Sequence, residues 1–337
     1  MDVSLGAAIF SLDFWIPVGV LAGVYTIFTL GLQLQYGFTG LLNFGHVAFM
    51  AIGAYTSALI IFHLDPTITI PFGLFSWTVP QTMYASLAGI AVAMLFGLLI
   101  SLPAIRLRTD YLAITTIAFS EIIRILINNL RALTHGDQGV FGFAKDVTGL
   151  SRKVSDVVPD IGPIEVNKNF VLFVLVWLVV IILFVFLQRV VRSPWGRVLR
   201  AIREDEDAAN ALGKNPFAYK LQVMAIGSAI GAIAGVFHSW HLLFLNPGQF
   251  IPQVTFFAYV ILLLGGVARN IGIPLGAIIF TAIFAGTRSL TFWPLSLLSS
   301  ADRAAVRLII VGSILIGLMA FRPQGLLGNR EELLLDR

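Results

Sequence analysis

The sequence predicts an all-α, polytopic transmembrane helical bundle of about eight to ten spans. Three observations lead there. Of the 337 residues 58% are hydrophobic and only 12% charged, against roughly 25% charged in soluble domains. Apolar runs of about 20 residues, the length needed to cross hydrocarbon, recur along the whole chain. The charges gather between those runs, as insertion energetics require. A mean hydropathy of +0.90 leaves no way to hide this much apolar surface in one water-soluble core, so the bilayer is the solvent.

By that length criterion the spans fall near 14–34, 38–63, 81–103, 109–133, 170–190, 221–245, 251–268, 271–292 and 304–321. The residues before the first span hold Asp2 and Asp13 and no Lys or Arg. A secretory signal needs a basic n-region and a cleavage site, so the first run reads as a retained span. The second is interrupted by glycines and the seventh is short; either is a candidate re-entrant segment. Gly37–Tyr55 and Leu264–Phe280 are both Gly-interrupted, without a convincing sequence repeat. The whole chain, 1–337, forms a single transmembrane domain.

Two loops set the orientation. The segment 189–220 carries Arg189, Arg192, Arg197, Arg200, Arg203, Lys214 and Lys220, and basic loops stay in the cytoplasm. The segment 134–169 balances Asp137, Asp146, Asp156, Asp160 and Glu165 against Lys145, Arg152, Lys153 and Lys168, and is expected outside. Counting spans outward places the N-terminus outside and the C-terminus in the cytoplasm. Arg106 and Arg108 then fall inside, an independent agreement. The pI near 9.5 comes from a net charge of only +4 and reflects these loops, with no nucleic-acid partner implied. There is no cysteine, which excludes disulfides and Cys-ligated metals.

Within the spans, Gly227, Gly231 and Gly235 recur every fourth residue and line one helix face, a small-xxx-small stripe for close helix packing. Asn43 and His46 sit beside Gly40 and Gly45 in an apolar span. Polar groups at that depth need partners or a wet cavity, so they either bond between helices or meet a solute. A helix loosened at Gly45 would free backbone groups for an amino acid's carboxylate or ammonium. No second ligand at suitable spacing supports a metal at His46. Glu121 and Arg124, three apart, share a helix face, about 16 Å along the helix from Asp110 and near mid-bilayer. An unpaired charge there would cost at least about 2.5–3.5 kcal/mol, and a structural ion pair is preferred over solute contact. His238 and His241 flank Trp240 near the end of the sixth span and read as interface anchors.

The cytoplasmic loop 193–220 is the most informative polar stretch. Pro194 starts a helix, Arg197–Leu212 contains no breaker, and Gly213 followed by Asn215-Pro216 ends it. Ile202, Ala209 and Leu212 fall roughly on one face, so the helix is expected to dock. The acidic cluster Glu204–Asp207 argues against a lipid surface.

Here the sequence resembles the membrane subunits of ABC importers, which carry a cytoplasmic Glu-Ala-Ala, three residues, Gly. Asp207-Ala208-Ala209 followed by three residues and Gly213 has the same spacing, with Asp in place of Glu. Tyr36–Tyr55, YGFTGLLNFGHVAFMAIGAY, is similar to the Gly-Leu-Leu-[Ser/Asn]-Phe-Gly-His-x-Ala-Phe core of the branched-chain amino-acid permease family. Ser101–Arg124 resembles a second family stretch, with Thr109 and Ser120 where Gly is frequent, and Arg322–Gly328, RPQGLLG, completes the pattern. The resemblance runs from about Gly31 to Gly328 and is weakest in the external loop.

It implies a permease subunit in a bacterial inner membrane that moves leucine, isoleucine or valine. The implied partners are a second related permease, two ATPase subunits and an extracytoplasmic substrate-binding protein. Asp207, Ala208, Ala209 and Gly213 would couple to the ATPase, while Asn43, Gly45 and His46 would line the substrate pathway. No Walker phosphate loop occurs in the chain, so it is not expected to be an enzyme or to need a cofactor of its own. A urea or short-amide importer of the same superfamily is the nearest alternative. An ATP-independent secondary transporter is a more distant one, and a membrane enzyme a poorer one still.

Overall fold

The computed structural model describes residues 12–63, 69–72, 75–78, 80–157 and 166–289, with scattered residues from 299 to 327. Helix α1, Leu12–Leu32, continues through a π-helical turn at Gln33–Gly37. After a non-helical stretch, α2 spans His46–His63. A β-hairpin follows, β1 Thr69–Phe72 paired with β2 Phe75–Thr78, then α3, Gln81–Ala104, and α4, Thr109–Asn129. Beyond α4 come α5, Arg131–Thr134, strand β3, Val140–Phe141, and α6, Lys145–Val157. Helix α7 covers Lys168–Arg192, α8 Pro194–Glu204, α9 Glu206–Ala211 and α10 Pro216–Leu242. Strand β4, Phe244–Leu245, pairs with β3, and α11, Gln253–Gly265, and α12, Gly272–Ser289, close the described bundle.

Among the described residues six helices are long and apolar enough to cross a membrane: Phe14–Gly37, His46–His63, Gln81–Ala104, Lys168–Arg192, Pro216–Leu242 and Pro247–Gly265. That is fewer than the eight to ten expected, for identifiable reasons. Helix α4 has the length, about 31 Å at 1.5 Å per residue, but Asp110, Glu121 and Arg124 lower its hydropathy. The apolar part of α12, Gly272–Gly286, is shorter than a span. Half of 304–321 lies outside the described residues. The second span is helical only from His46, since Gly40 takes φ +74°.

Burial sorts the helices into layers. Two thirds of the most apolar window of α1, α2 and α10 (67% each) is buried within the subunit, against 28% for α3 and α7. The first three therefore form the centre, and the other two present their apolar sides outward. Small residues let the centre close: a Cβ on Gly53 would meet Ala232 at 2.6 Å, and one on Gly89 would meet the Gly53 carbonyl at 2.6 Å. On α1, Gly19 accepts from the Trp177 indole of α7 at 3.0 Å through its carbonyl.

The segment 134–169, described over 134–157 and 166–169, carries regular structure. Its helix α6 is amphipathic and packs on α7. The β3–β4 pair ties it to the chain after α10, with Phe141 stacked on Phe244 at 4.4 Å.

Candidate functional site

The bundle is interrupted between α1 and α2, from the end that carries Arg106 and Arg108 inward to His46. The break is made by the glycines and held by polar side chains. Asn43 donates to the Gln35 carboxamide at 2.9 Å and accepts from the Gly45 backbone N–H at 3.0 Å. Its amide thus ties the start of α2 back to the π-helical turn. The Phe44 N–H donates to the Thr116 hydroxyl of α4 at 3.1 Å, and the Val47 N–H donates to the Thr255 hydroxyl of α11 at 3.0 Å. Val47 lies in the first turn of α2, whose N–H groups have no intrahelical acceptor, and Phe44 precedes the helix in the turn that leads into it. Their partners come from two other helices, which locks the break into the bundle. A Cβ on Gly45 would collide with the Thr116 backbone carbonyl, so only glycine allows this approach.

His46 opens α2 and is fully buried, near the middle of α10. Its ring lies 4.7 Å from the Phe28 ring. Neither ring nitrogen completes a hydrogen bond of good geometry, although the Phe28 backbone is close enough to interact. The glycine stripe makes room here. A Cβ on Gly31 or Gly231 would stand 2.9 or 3.1 Å from His46 Nε2, one on Gly227 would strike the Gln35 amide, and one on Gly235 would strike the Met50 carbonyl. Gly227 and Gly231 therefore pack α10 against the two sides of the break, at Gln35 and His46, and Gly235 packs it against the body of α2 at Met50.

Beneath the break, at the end carrying Arg106 and Arg108, lies a cavity of about 420 Å³ lined by Thr39, Gly40, Arg106, Arg108, Glu206 and Lys220. Within the break, the Phe44 ring packs against Phe256 and Tyr259 of α11, with ring centroids at 5.1 and 4.7 Å. The Gln33 amide oxygen, in the orientation its surroundings select, accepts from Ala268 and Arg269 N–H at 2.9 and 2.8 Å. This fixes the turn between α11 and α12 to the end of α1. Of the C-terminal motif only Gly325–Leu327 lies within the described residues. There the Leu326 N–H donates to the Leu264 carbonyl at 2.8 Å.

The basic loop is two helices, not the single one expected over Arg197–Leu212. Asp205 is extended (φ −151°, ψ 107°), and its carboxylate caps the Ala208 N–H at 2.9 Å. An Asp N-cap is a strong helix start, and it restarts the helix at Glu206. Ile202 and Ala209 are buried as expected, but Leu212 is 80% exposed and so does not share their face. Gly213 ends α9 at φ +75°, with the Lys214 N–H returning to the Ala209 carbonyl. Asp207, Ala208, Leu212 and Gly213 are left as an exposed tip. The Arg203 guanidinium donates to the Gly37 carbonyl at 2.6 Å, and Glu206 pairs with Lys220 at the foot of α10.

Glu121 and Arg124 do pair, with Arg124 Nε donating to Glu121 Oε2 at 3.0 Å and a second bond through Nη2. They lie on the open side of α4, away from the break. His238 and His241 are half-buried near the far end of α10; the Lys168 ammonium donates to the His241 carbonyl at 3.0 Å, and the His238 ring faces Phe250. Among the described residues no three His, Cys, Asp or Glu side chains converge as metal ligands. The sequence reading did not single out Gln35, Thr116, Thr255 or the Arg203 contact. The first three had a signal, as polar side chains within apolar spans; the last had none.

A family model described as a branched-chain amino acid transport system permease component matches residues 16–319. The high-affinity branched-chain amino acid transport system permease protein LivM of Salmonella typhimurium is 32% identical over 93% of this chain and 69% of its own length. A probable LivM permease of Methanocaldococcus jannaschii is 31% identical over 77% of each chain. The LivH permease of Salmonella typhimurium is 25% identical over 92% of this chain and 93% of its own. No solved structure matches.

Proposed function

The chain belongs to the family of branched-chain amino acid transport permease components, and from that premise we propose that it is one membrane subunit of an ATP-driven importer of leucine, isoleucine and valine. The observation that carries the coupling part of this reading is the hydrogen bond from Arg203 to Gly37. It connects the exposed tip of the basic loop to the break in the bundle.

The basic end faces the cytoplasm of a bacterial cell, as the positive-inside rule requires, with the C-terminus on that side and the N-terminus outside. Of two ATPase subunits, one docks on the exposed Asp207, Ala208 and Gly213, while the buried Ala209 holds α9 against its own subunit. Small side chains at the tip admit a close partner, and the exposed Leu212 supplies an apolar anchor for it. A second, related permease completes the pathway. The likeness of this chain to both LivM and LivH relatives supports a paired arrangement. A substrate-binding protein delivers the amino acid at the opposite end.

Asn43, Gly45 and His46 form the moving element that bears on the pathway. In the described conformation they are shut inside the bundle. Closure of the ATPases displaces α8 and α9; Arg203 transmits that displacement to Gly37, and the break shifts against α4 and α11. The cavity beneath it then serves as the cytoplasmic exit. Differential contact of the ATPases with the two positions of the loop is what drives the change.

The test of substrate class is a transport panel in proteoliposomes holding this chain, the second permease, the ATPases and the binding protein, with ATP inside. Uptake of leucine, valine and isoleucine, with no uptake of urea, is the expected result. Uptake of urea or short amides alone would overturn the substrate assignment.

A further inference from the structure

Helix α4 presents a stripe of Tyr111, Ile114, Ala118, Glu121 and Ile125 at alternating spacings of three and four, away from the bundle it belongs to. Tyr111 and Ile114 are 62% and 64% exposed, and the Glu121 and Arg124 side chains remain 38% and 27% exposed despite their mutual bonds. Glu121 lies about 18 Å along a helix about 31 Å long, so the ion pair sits near mid-bilayer. The outward faces of α3 and α7 differ at the same depth. There the exposed side chains are Leu95 and Met94, or Leu178, Ile181 and Ile182, all suited to lipid. Ionisable groups at membrane depth face a bundle interior or a water-filled path. Among the described residues nothing offers Glu121 and Arg124 either surrounding, and a face that leaves such a pair open at this depth fits a seam with another subunit.

We propose that this face of α4 lines the translocation pathway at the seam with the second permease subunit. There the Glu121–Arg124 pair opens to hold the head group of the transported amino acid. A zwitterion is the mirror of the ion pair: its carboxylate replaces Glu121 on the planar Arg124 fork, and its ammonium replaces Arg124 on Glu121. Arg suits bidentate carboxylate recognition. Because the two charges satisfy each other when the pathway is empty, neither is stranded in the absence of cargo. Ala118, one turn below Glu121, leaves room for the ligand, while Ile114 and Ile125 offer apolar surface to a branched aliphatic side chain. The inner face of the same helix carries Thr116 against Phe44 and Gly45, so movement of the break moves the head-group site. This inference rests on the importer reading above.

The test uses the complete reconstituted assembly and exploits the absence of cysteine from this chain. Ala118→Cys is expected to react with a membrane-impermeant charged thiol reagent, read as a mass shift of this chain, and saturating leucine is expected to slow that reaction several-fold. Ile181→Cys on α7, facing lipid, is expected not to react. In parallel, the neutral double variant Glu121→Gln/Arg124→Gln removes both charges and strands neither. It is expected to co-purify with its partners and to show a leucine KM raised at least about tenfold, the loss of one or more charge-assisted contacts. A purely structural pair predicts an unchanged KM in that double variant, which would overturn the proposal. If the double variant does not assemble, the thiol experiment decides, and an Ala118→Cys inert with and without ATP overturns the proposal. Wild-type assemblies that take up no leucine would defeat the importer reading instead, a failure the same experiment separates.

Discussion

Arg203 of the basic loop donates a 2.6 Å hydrogen bond to the Gly37 carbonyl, at the last turn before the chain breaks. The bond spans 166 residues of sequence and joins the loop proposed to meet the ATPase to the break proposed to reshape the pathway. Arg203→Met keeps the aliphatic stem and removes the bond. Leucine uptake is expected to fall about tenfold, the low end for a hydrogen bond to a charged group, while the ATPases still co-purify. Unchanged uptake would show that displacement reaches the break by another route.

The glycines at the break are ranked by what a methyl group would meet. At Gly45 and Gly235 it would enter a backbone carbonyl, of Thr116 and Met50, whereas at Gly231 it meets the end of the His46 side chain at 3.1 Å. Gly45→Ala and Gly235→Ala are expected to cost about 1–3 kcal/mol, and Gly231→Ala less. Thermal unfolding of the three purified variants in detergent gives the order directly.

Thr255 holds the first turn of α2 by accepting from the Val47 N–H at 3.0 Å. Thr255→Val preserves shape and leaves that buried N–H unsatisfied, at about 1–3 kcal/mol. Thr255→Ser keeps the acceptor and is expected to retain most of the stability. Equal melting temperatures for the two variants would mean another acceptor serves Val47.

At the loop tip, Gly213 stands at φ +75° with nothing near its missing side chain. The constraint is conformational, not steric. Gly213→Asn is therefore expected to retain coupling, and Gly213→Val to lose it, at about 1–2 kcal/mol for a branched residue in the left-handed region. Leu212→Asp, at an 80% exposed position, is expected to leave the melting temperature unchanged and to abolish co-purification with the ATPases.

Much of this was legible in the residues. Apolar run length located α1, α3, α7 and α10, because a span is a local property of sequence. The end of α9 at Gly213 was legible for the same reason, as was the Glu121–Arg124 pair at i, i+3. The restart at Asp205 was missed because a good helix former surrounds it on both sides, and the capping geometry of its carboxylate decides the matter. At Glu121 and Arg124 spacing and depth are visible in the sequence; which side of α4 they occupy depends on helices distant in sequence. Asn43 and His46 were recognised as unusual at membrane depth. That Asn43 is committed to Gln35 and Gly45, while His46 rests in a slot of glycines from α1 and α10, required the packed bundle.

The most direct test of the central claim is radiolabelled leucine uptake by this chain with its partner permease and binding protein, compared with and without the ATPase subunits and internal ATP. Uptake that appears only when ATPase and ATP are both present is the predicted result. Concentrative leucine uptake by the membrane subunits alone would contradict the account and make the chain part of an ATP-independent transporter.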